Sequence, residues 1–183
     1  RQRQMCIRDS YILLRVDHDG PVDSLIINDE LASKIQEADI VVVSDYCKGM
    51  LPVETLSEIA RLAKASFIDT KKALGYWAKD FGWIKINSKE WNNPNHDPNF
   101  IRDFESNVIV TLGEKGARVG KTVIAPERKV EVKDVSGAGD SFLAGLATAY
   151  GMTQNIDTAI RFANKCAGEA VSHRGVVSVN LSI

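Results

Sequence analysis

Short apolar runs alternate with amphipathic segments along most of the chain. Four runs have the length of strands that are buried on both faces of a sheet: "DIVVVSDY" (39–46), "SFIDT" (66–70), "WIKINS" (83–88) and "NVIVTLG" (107–113). A further strand is predicted over "YILLRVD" (11–17), and "ARVGKTVIAPERKVEV" (117–132) is typical of antiparallel edge strands. The pattern therefore predicts a buried sheet with less regular edge strands.

Helical periodicity separates these strands. It predicts helices over 28–38 and 52–65, each with an apolar face and with a capping residue or proline at its start. A short helix is predicted over "FIRDFES" (100–106), after a polar loop, and two longer ones at about 139–151 and 156–172. Strands that alternate with helices indicate βαβ units, so the predicted fold is α/β with a doubly wound, mostly parallel sheet and helices on both faces.

Polar side chains stand at the ends of the four predicted buried strands. These residues are Asp45, Asp69, Asn87 and Thr111, in chain order. Because ligands of such folds bind at the carboxyl ends of the parallel strands, we expect a polar pocket at this edge.

The segment "SGAGDSFLAGLATAY" (136–150) places a turn with few side-chain atoms before a long apolar helix. Gly137, Ala138 and Gly139 would leave backbone N–H groups open to an anion. Asp140 follows in the first turn, where a carboxylate repels phosphate but can take a proton from an attacking hydroxyl. Phosphoryl transfer is one interpretation. Taken alone, the motif favours the other, a first-turn acid that stabilises the helix dipole behind a tight turn.

Composition narrows the function classes. The 183 residues suit one domain or a large piece of one, and 23 basic against 24 acidic residues give a net charge of -1. This balance argues against a general binder of nucleic acid or anionic membranes, and no apolar run approaches the roughly 20 residues that span a bilayer. The three cysteines, Cys6, Cys47 and Cys166, are far apart, which favours reduced, buried or half-buried thiols and a cytoplasmic location.

The first ten residues, "RQRQMCIRDS", have neither periodicity nor the apolar stretch of a signal peptide. We predict that residues 1–10 are a non-native or disordered tail and that residues 11–183 form the folded part of the chain.

Six blocks of sequence, in order, resemble the ribokinase-like sugar kinases of the PfkB carbohydrate kinase family. They are "SDYCKGML" (44–51), "IDTKK" (68–72), "INSKEW" (86–91), "IVTLGEKGA" (109–117), "DVSGAGDSFLAGLATAY" (134–150) and "IRFANKCAGEAV" (160–171). The first block, with "YILLRVD", is most similar to the heptose-7-phosphate kinase branch, the kinase half of bifunctional ADP-heptose synthases of lipopolysaccharide assembly. The resemblance covers essentially residues 11–180 and implies a ribokinase-like fold.

The resemblance implies ATP-dependent phosphotransfer, with Mg²⁺, to a hydroxyl of a sugar or sugar phosphate, and a heptose 7-phosphate is the expected acceptor. It implies that Asp140 is the catalytic base and that the N–H groups of Gly137, Ala138 and Gly139 form the anion hole for the γ-phosphate. The partner is then a small molecule rather than nucleic acid or membrane, and a homodimer of the full-length protein is allowed.

Further positions match family motifs. Asn87 and Glu90 match the N-x-x-E motif that orders Mg²⁺ and phosphates, although the pair alone favours a helix cap with a surface acid. The nucleotide block is matched by Thr111, Gly113 and Gly116, and Asn164 lies on the helix beside the adenine in relatives. The small neighbours of Asn164 are also explained by tight helix packing.

Two strand-end segments complete the implied nucleotide site. Lys48 either reaches a phosphate or is a solvated loop lysine. Asp69 and Lys71 stand where relatives read D-P-K, with Thr70 in place of the proline. Asp134 and Ser136 match positions that give oxygens to a monovalent cation in some relatives, so such a cation is allowed.

Family members also carry an N-terminal half, with a glycine-pair motif and a small β-lid over the sugar, that this sequence lacks. The resemblance therefore implies the C-terminal part of a single kinase domain, which keeps the nucleotide half and lacks much of the sugar pocket. Two alternatives stay open: a ribokinase-, fructokinase- or nucleoside-kinase-like specificity, and a non-catalytic nucleotide-binding fragment. The sheet is expected to expose an apolar edge where strands are missing.

Overall fold

A computed structural model describes residues 2–8, 11–18, 20, 22–175 and 178–179. The strands of these residues form two sheets. β1 (Gln2–Arg8) and β2 (Tyr11–His18) form an antiparallel pair. Six strands form the main sheet in chain order: β3 (Val41–Asp45), β4 (Ser66–Thr70), β5 (Trp83–Asn87), β6 (Val108–Thr111), β7 (Ala117–Val119) and β8 (Thr122–Ile124). β3 to β6 are parallel and β7 and β8 antiparallel, which confirms the predicted mostly parallel sheet.

The β1–β2 pair bears on the expectations for the start of the chain. β2 confirms the strand predicted over residues 11–17. β1 lies within the segment that we expected to be a tail, and its backbone pairs with β2. The non-native origin of residues 1–10 and the domain boundary at residue 11 stay predictions, because strand pairing does not address them.

The helices of the main fold are α1 (Asp29–Glu37), α2 (Val53–Leu62), α3 (Ser88–Trp91), α4 (Pro98–Phe104), α5 (Ala138–Thr153) and α6 (Ile156–Val171). Side-chain caps fix several starts: Asn28 accepts from the N–H of Leu31 at 2.9 Å, and Asn155 accepts from the N–H of Thr158 at 2.9 Å. The predicted helices are thus confirmed within a few residues. No helix of the described residues is both long and apolar enough to cross a bilayer.

The edge strands are shorter than the sequence predicts. The prediction over residues 117–132 is correct as far as Ile124, and the backbone beyond it is irregular up to α5. Pro126 has no N–H to give to a ladder, and the charged residues 127–129 that follow it offer no apolar face to bury.

The main sheet separates two apolar cores. Because side chains alternate along a strand, Ile68 of β4 faces the core that includes α1, α2 and α4, whereas Phe67 faces the core of α5 and α6. α5 and α6 approach each other closely at Gly145, where a Cβ atom would come within 2.7 Å of Cys166 Sγ. This packing holds α5 in one position on the sheet, and with it the turn at its start.

β3 is the outer strand of the main sheet, with β4 as its neighbour among the described strands. Val42 points to the face of the sheet that α5 and α6 cover elsewhere, and it is 45% exposed. An exposed apolar edge was expected, and β3 supplies one.

The cysteine prediction is confirmed for buried Cys166, wrong for exposed Cys47, and lies outside the described side chains for Cys6.

Candidate active site

The start of α5 is a bare turn, as the sequence predicts. Gly137 precedes the helix with φ +77°, a left-handed conformation that glycine adopts without a steric penalty. A Cβ atom at Gly137 would meet no atom within 4 Å, so space is open in front of the helix. The N–H of Ala138 donates to Val135 O at 3.3 Å. Of the three N–H groups predicted to form the anion hole, that of Ala138 is therefore used within the turn.

Asp140 is exposed in the first turn of α5 and meets the loop after β3. The hydroxyl of Tyr46 donates to both carboxylate oxygens, at 3.1 Å to Oδ1 and 3.2 Å to Oδ2. Since Tyr46 follows the last residue of β3, this contact places a strand end beside the bare turn. The polar pocket expected at the strand ends stays a prediction, and this contact shows which strand end meets the turn.

A buried ion pair lies beneath the same turn. Lys85 Nζ is 2.7 Å from Asp69 Oδ2, and the two side chains are 6% and 19% exposed. A Cβ atom on Gly139 would lie 3.1 Å from Lys85 Nζ, so the absence of a side chain at residue 139 gives the ammonium its room. The predicted site residue Asp69 is thus brought to the start of α5 through Lys85.

Asp45 anchors the loop that carries Tyr46. Its buried carboxylate accepts from Lys72 Nζ at 2.7 Å, from Thr70 Oγ1 at 2.9 Å and from the N–H of Cys47 at 2.9 Å. Burial raises the pKa of Asp45, but these hydrogen bonds outweigh it and hold the pKa below its ordinary value. Thr70 replaces the proline that the family resemblance implies at this position, and its hydroxyl provides a bond that proline cannot make.

Asn87 and Glu90 form a capping box at the start of α3. Asn87 Oδ1 accepts from the N–H groups of Lys89 and Glu90 at 2.9 and 3.0 Å, and Glu90 Oε2 accepts from the N–H of Asn87 at 2.7 Å. The helical turn that their spacing required is therefore present. The capping box uses one carboxylate oxygen of Glu90, and a carboxylate has about four acceptor positions. Asn87 and Glu90 therefore still suit a Mg²⁺ ion that is held largely by phosphates. Their role as metal ligands stays a prediction.

Replacing Asn87 with Ala separates the capping role from the metal role. We expect a loss of about 1 kcal/mol in the free energy of unfolding, because the cap is removed. Asn28→Ala, which removes the equivalent cap of α1, is the matched control. Chemical unfolding measures both losses, and titration with Mg·ATP measures nucleotide affinity. If Asn87 also orders the metal, only Asn87→Ala weakens Mg·ATP binding, and equal affinities in the two variants would refute the metal assignment.

The predicted nucleotide residues gather around the turn that joins β6 to β7. The N–H of Leu112 donates to Gly116 O at 2.8 Å, and the N–H of Gly116 donates to Gly113 O at 3.0 Å. Buried Asn164 donates from Nδ2 to Ile124 O at 3.0 Å, and a Cβ atom on Gly116 would lie 2.2 Å from that same oxygen. Gly116 and Asn164 therefore have structural roles at the end of β8, and their contacts with a nucleotide stay predictions.

The remaining predicted residues lie in separate parts of the fold. Thr111 pairs in register with Asn87 and donates from Oγ1 to Ile86 O at 3.4 Å. Lys48 is exposed in the loop after β3. Asp134 accepts from the N–H of Ser136 at 2.9 Å and from the N–H of Gly175 at 3.0 Å, and these bonds hold its pKa below the ordinary value. Among the described residues, no three His, Cys, Asp or Glu side chains cluster so as to hold a metal ion.

Comparison with known proteins places this site in a family. The model of the pfkB family carbohydrate kinases matches residues 95–182, which include the turn at 113–116, α5 and α6. The chain belongs to the pfkB family of carbohydrate kinases.

Curated relatives of this pfkB family member include two bifunctional proteins named HldE. The protein from Rhodopseudomonas palustris is 31% identical over 176 residues, which cover 84% of this chain and 36% of the relative. The protein from Bradyrhizobium diazoefficiens is 33% identical over 168 residues, which cover 80% of this chain and 34% of the relative. The chain thus spans about a third of the length of these relatives.

Solved structures share its fold. Arabidopsis thaliana ribokinase, complexed with ribose and ATP, has a TM-score of 0.66 at 20% identity, over 82% of this chain and 55% of that one. A nucleoside kinase from Burkholderia thailandensis, in complex with inosine, has a TM-score of 0.60 at 24% identity, over 79% and 53% of the two chains. These likenesses confirm the ribokinase-like fold of the pfkB family member.

Sequence reasoning missed two residues of the candidate site in this family member. Lys85 lies between two buried isoleucines in a short apolar strand. Its charge was visible in the sequence, but the hydrophobic pattern marks it only as an exception within the strand and not as a site residue. Tyr46 lies in the block "SDYCKGML" (44–51), which resembles the family, but its partner Asp140 is 94 residues away. No local spacing reveals that contact.

Proposed function

We propose that the chain transfers the γ-phosphoryl group of ATP to a hydroxyl of a sugar or sugar phosphate, with a heptose 7-phosphate as the acceptor. One observation carries the proposal: Asp140 presents an exposed carboxylate at the open, bare start of α5, where it already accepts a hydroxyl hydrogen from Tyr46. A carboxylate in that position can receive the proton of an acceptor hydroxyl.

The proposed reaction balances with Asp140 as the only protein group that changes its protonation. The acceptor oxygen forms a bond to the γ-phosphorus, the bond from that phosphorus to the bridging oxygen of ADP breaks, and the hydroxyl proton passes to Asp140. ATP supplies the phosphoryl group, and Mg²⁺ supplies positive charge against its phosphates when both are bound. General-base help of this kind accelerates a reaction about 10²–10⁴-fold.

The start of α5 has the chemistry to hold phosphate. Its helix is 16 residues long, and the N-terminal N–H groups of such a helix favour an anion. Lys85 places an ammonium directly below Gly139, and its pairing with Asp69 fixes that ammonium in position. Asn87 ends β5, two residues beyond Lys85, and Glu90 lies in the turn of α3 that follows; together they would hold Mg²⁺ with the phosphates.

The choice of a heptose 7-phosphate rests on the resemblance of "SDYCKGML" to the heptose kinase branch and on the similarity to the HldE proteins. A second candidate is a nucleotide-binding module without turnover. It stands as the alternative because the chain covers 36% of an HldE relative and 55% of a ribokinase chain, so similarity alone does not carry the activity of the whole relatives over to it.

A panel of acceptors distinguishes these functions. The purified chain is mixed with Mg·ATP and, separately, a heptose 7-phosphate, ribose, fructose and a nucleoside, and product formation is followed by ³¹P NMR and mass spectrometry. We expect a new phosphate ester with the heptose 7-phosphate and little ADP in the control without acceptor. ATP binding with no ester from any acceptor would support the module, and a chain that does not bind ATP would contradict both candidates.

A further inference from the structure

Tyr46 and Asp140 form a contact between two parts of the chain that no local motif links. The hydroxyl lies 3.1 and 3.2 Å from the two carboxylate oxygens, so one donor is shared by both acceptors. A hydroxyl that donates to a single carboxylate oxygen approaches to about 2.5–2.7 Å. The shared, longer bond therefore centres the carboxylate on the tyrosine without saturating either oxygen.

The carboxylate can keep this bond and still accept a second hydroxyl. An ionised carboxylate has about four acceptor positions, and Tyr46 provides a single hydrogen. Asp140 is exposed, and the space in front of Gly137 is open, so a second hydroxyl has a path of approach. Tyr46 thus orients the carboxylate and leaves it able to act as a base.

Tyr46 is itself held from two sides. The carboxylate of Asp45 accepts from the N–H of Cys47, the residue after Tyr46, and is itself bound by Thr70 and Lys72. Lys71 Nζ lies 5.5 Å from the centre of the Tyr46 ring, within the range of a cation–π contact. The ring is therefore placed by buried anchors and by a cation, as a group that orients another residue has to be.

We propose that Tyr46 is a positioning residue for phosphotransfer: its hydroxyl fixes the orientation of the Asp140 carboxylate. The proposal rests on the proposed function, because it assigns Tyr46 a part in the same reaction.

A second tyrosine in the chain supplies a matched control. The hydroxyl of Tyr76 donates to Asp103 Oδ2 at 2.7 Å, and Tyr46 and Tyr76 are both 45% exposed. The Tyr76–Asp103 pair joins α4 to the turn before β5, away from the start of α5. Any effect that follows merely from losing an exposed tyrosine–aspartate bond appears at both pairs.

The contact is tested on the chain itself by titrating tyrosines labelled with ¹³C at the ring carbon that bears the hydroxyl. Burial raises the pKa of Tyr46, and the charge and hydrogen bond of Asp140 raise it further, with a smaller contribution from Asp69. Asp140→Asn removes the neighbouring negative charge, so Tyr46 should ionise at lower pH while Tyr76 is unchanged. Asp103→Asn should shift Tyr76 alone, and Tyr46→Phe and Tyr76→Phe assign the two signals.

The role is tested by the rate of phosphotransfer. Tyr46→Phe should lower kcat about tenfold or more, the effect of losing a hydrogen bond to a charged group, without changing KM for ATP. Tyr76→Phe should leave both constants at the wild-type values. A purely structural role for Tyr46 would lower the folded fraction and leave kcat per folded molecule unchanged.

The outcomes separate this proposal from the proposed function. A Tyr46 signal that does not respond to Asp140→Asn, or a Tyr46→Phe variant with the kcat of Tyr76→Phe, overturns the positioning role. An Asp140→Asn variant that keeps full turnover overturns Asp140 as the base instead, and the titration, which needs no turnover, still decides whether the tyrosine holds the carboxylate.

Discussion

Asp140→Asn is expected to lower the rate of phosphotransfer about 10²–10⁴-fold while ATP still binds. The amide has the shape of the carboxylate and keeps an oxygen for Tyr46, but it cannot take the proton of the acceptor hydroxyl. Because Asp140 is exposed and α5 is anchored by its buried face, the start of the helix should not move. ATP affinity should be equal or slightly higher, since a negative charge near the phosphates is removed.

The same variant tests the alternative interpretation of the motif. If Asp140 served only the helix dipole, Asp140→Asn would cost about 0.3–1 kcal/mol of stability and leave the rate unaltered. Asp103→Asn is the control, because it also removes a carboxylate that accepts a tyrosine hydroxyl. Turnover is measured by ADP release with saturating acceptor, and ATP affinity by calorimetry. Wild-type turnover in Asp140→Asn would disprove the assignment of the base.

Gly116→Ala is expected to destabilise the fold by about 3–4 kcal/mol. Gly116 has φ +86° and ψ −131°, a conformation open essentially to glycine. The added Cβ would lie 2.2 Å from Ile124 O and 3.0 Å from Ala125 Cα, and these backbone atoms cannot move without disrupting β8. Urea unfolding followed by circular dichroism measures the loss.

Gly113→Ala provides the comparison for Gly116→Ala. Gly113 also has a positive φ, +62°, but a Cβ atom there would meet nothing within 4 Å. Its substitution should therefore cost only about 1–2 kcal/mol, the penalty for a left-handed residue. Equal losses at the two positions would show that the contact with Ile124 O is not the cause. A weaker affinity for ATP in folded Gly113→Ala would support Gly113 as a nucleotide contact, whereas in Gly116→Ala it would follow from damage to β8.

The fold was predictable from the sequence because the buried strands are short, apolar on both faces and separated by capped helices. β4 was predicted to the residue, whereas the edge strands were overextended since Pro126 interrupts a segment that otherwise alternates. These features depend on neighbours within about ten residues along the chain, where periodicity and turn chemistry carry the information.

The candidate site was predictable only in part, and sequence separation explains the difference. Asn87 and Glu90 are three residues apart, so their shared turn follows from spacing alone. Lys85 and Asp69 are 16 residues apart on neighbouring strands, and Tyr46 and Asp140 are 94 apart. Such contacts depend on the register of the sheet and on where α5 lies across it, and neither is encoded in a local pattern.

Gly139 has a consequence for how this sequence can change over time. The glycine was expected from the need for an anion to approach the backbone, but its missing side chain also makes room for Lys85 Nζ, 3.1 Å from where a Cβ would lie. An alanine at 139 would press on the lysine, whose ammonium is held by Asp69. Substitutions at 139 and 85 are therefore not independent: in descendants of this chain, a larger residue in the turn has to be accommodated by a shift of the lysine ammonium on the strand. A helix start and a strand interior, 54 positions apart in the sequence, share one evolutionary constraint.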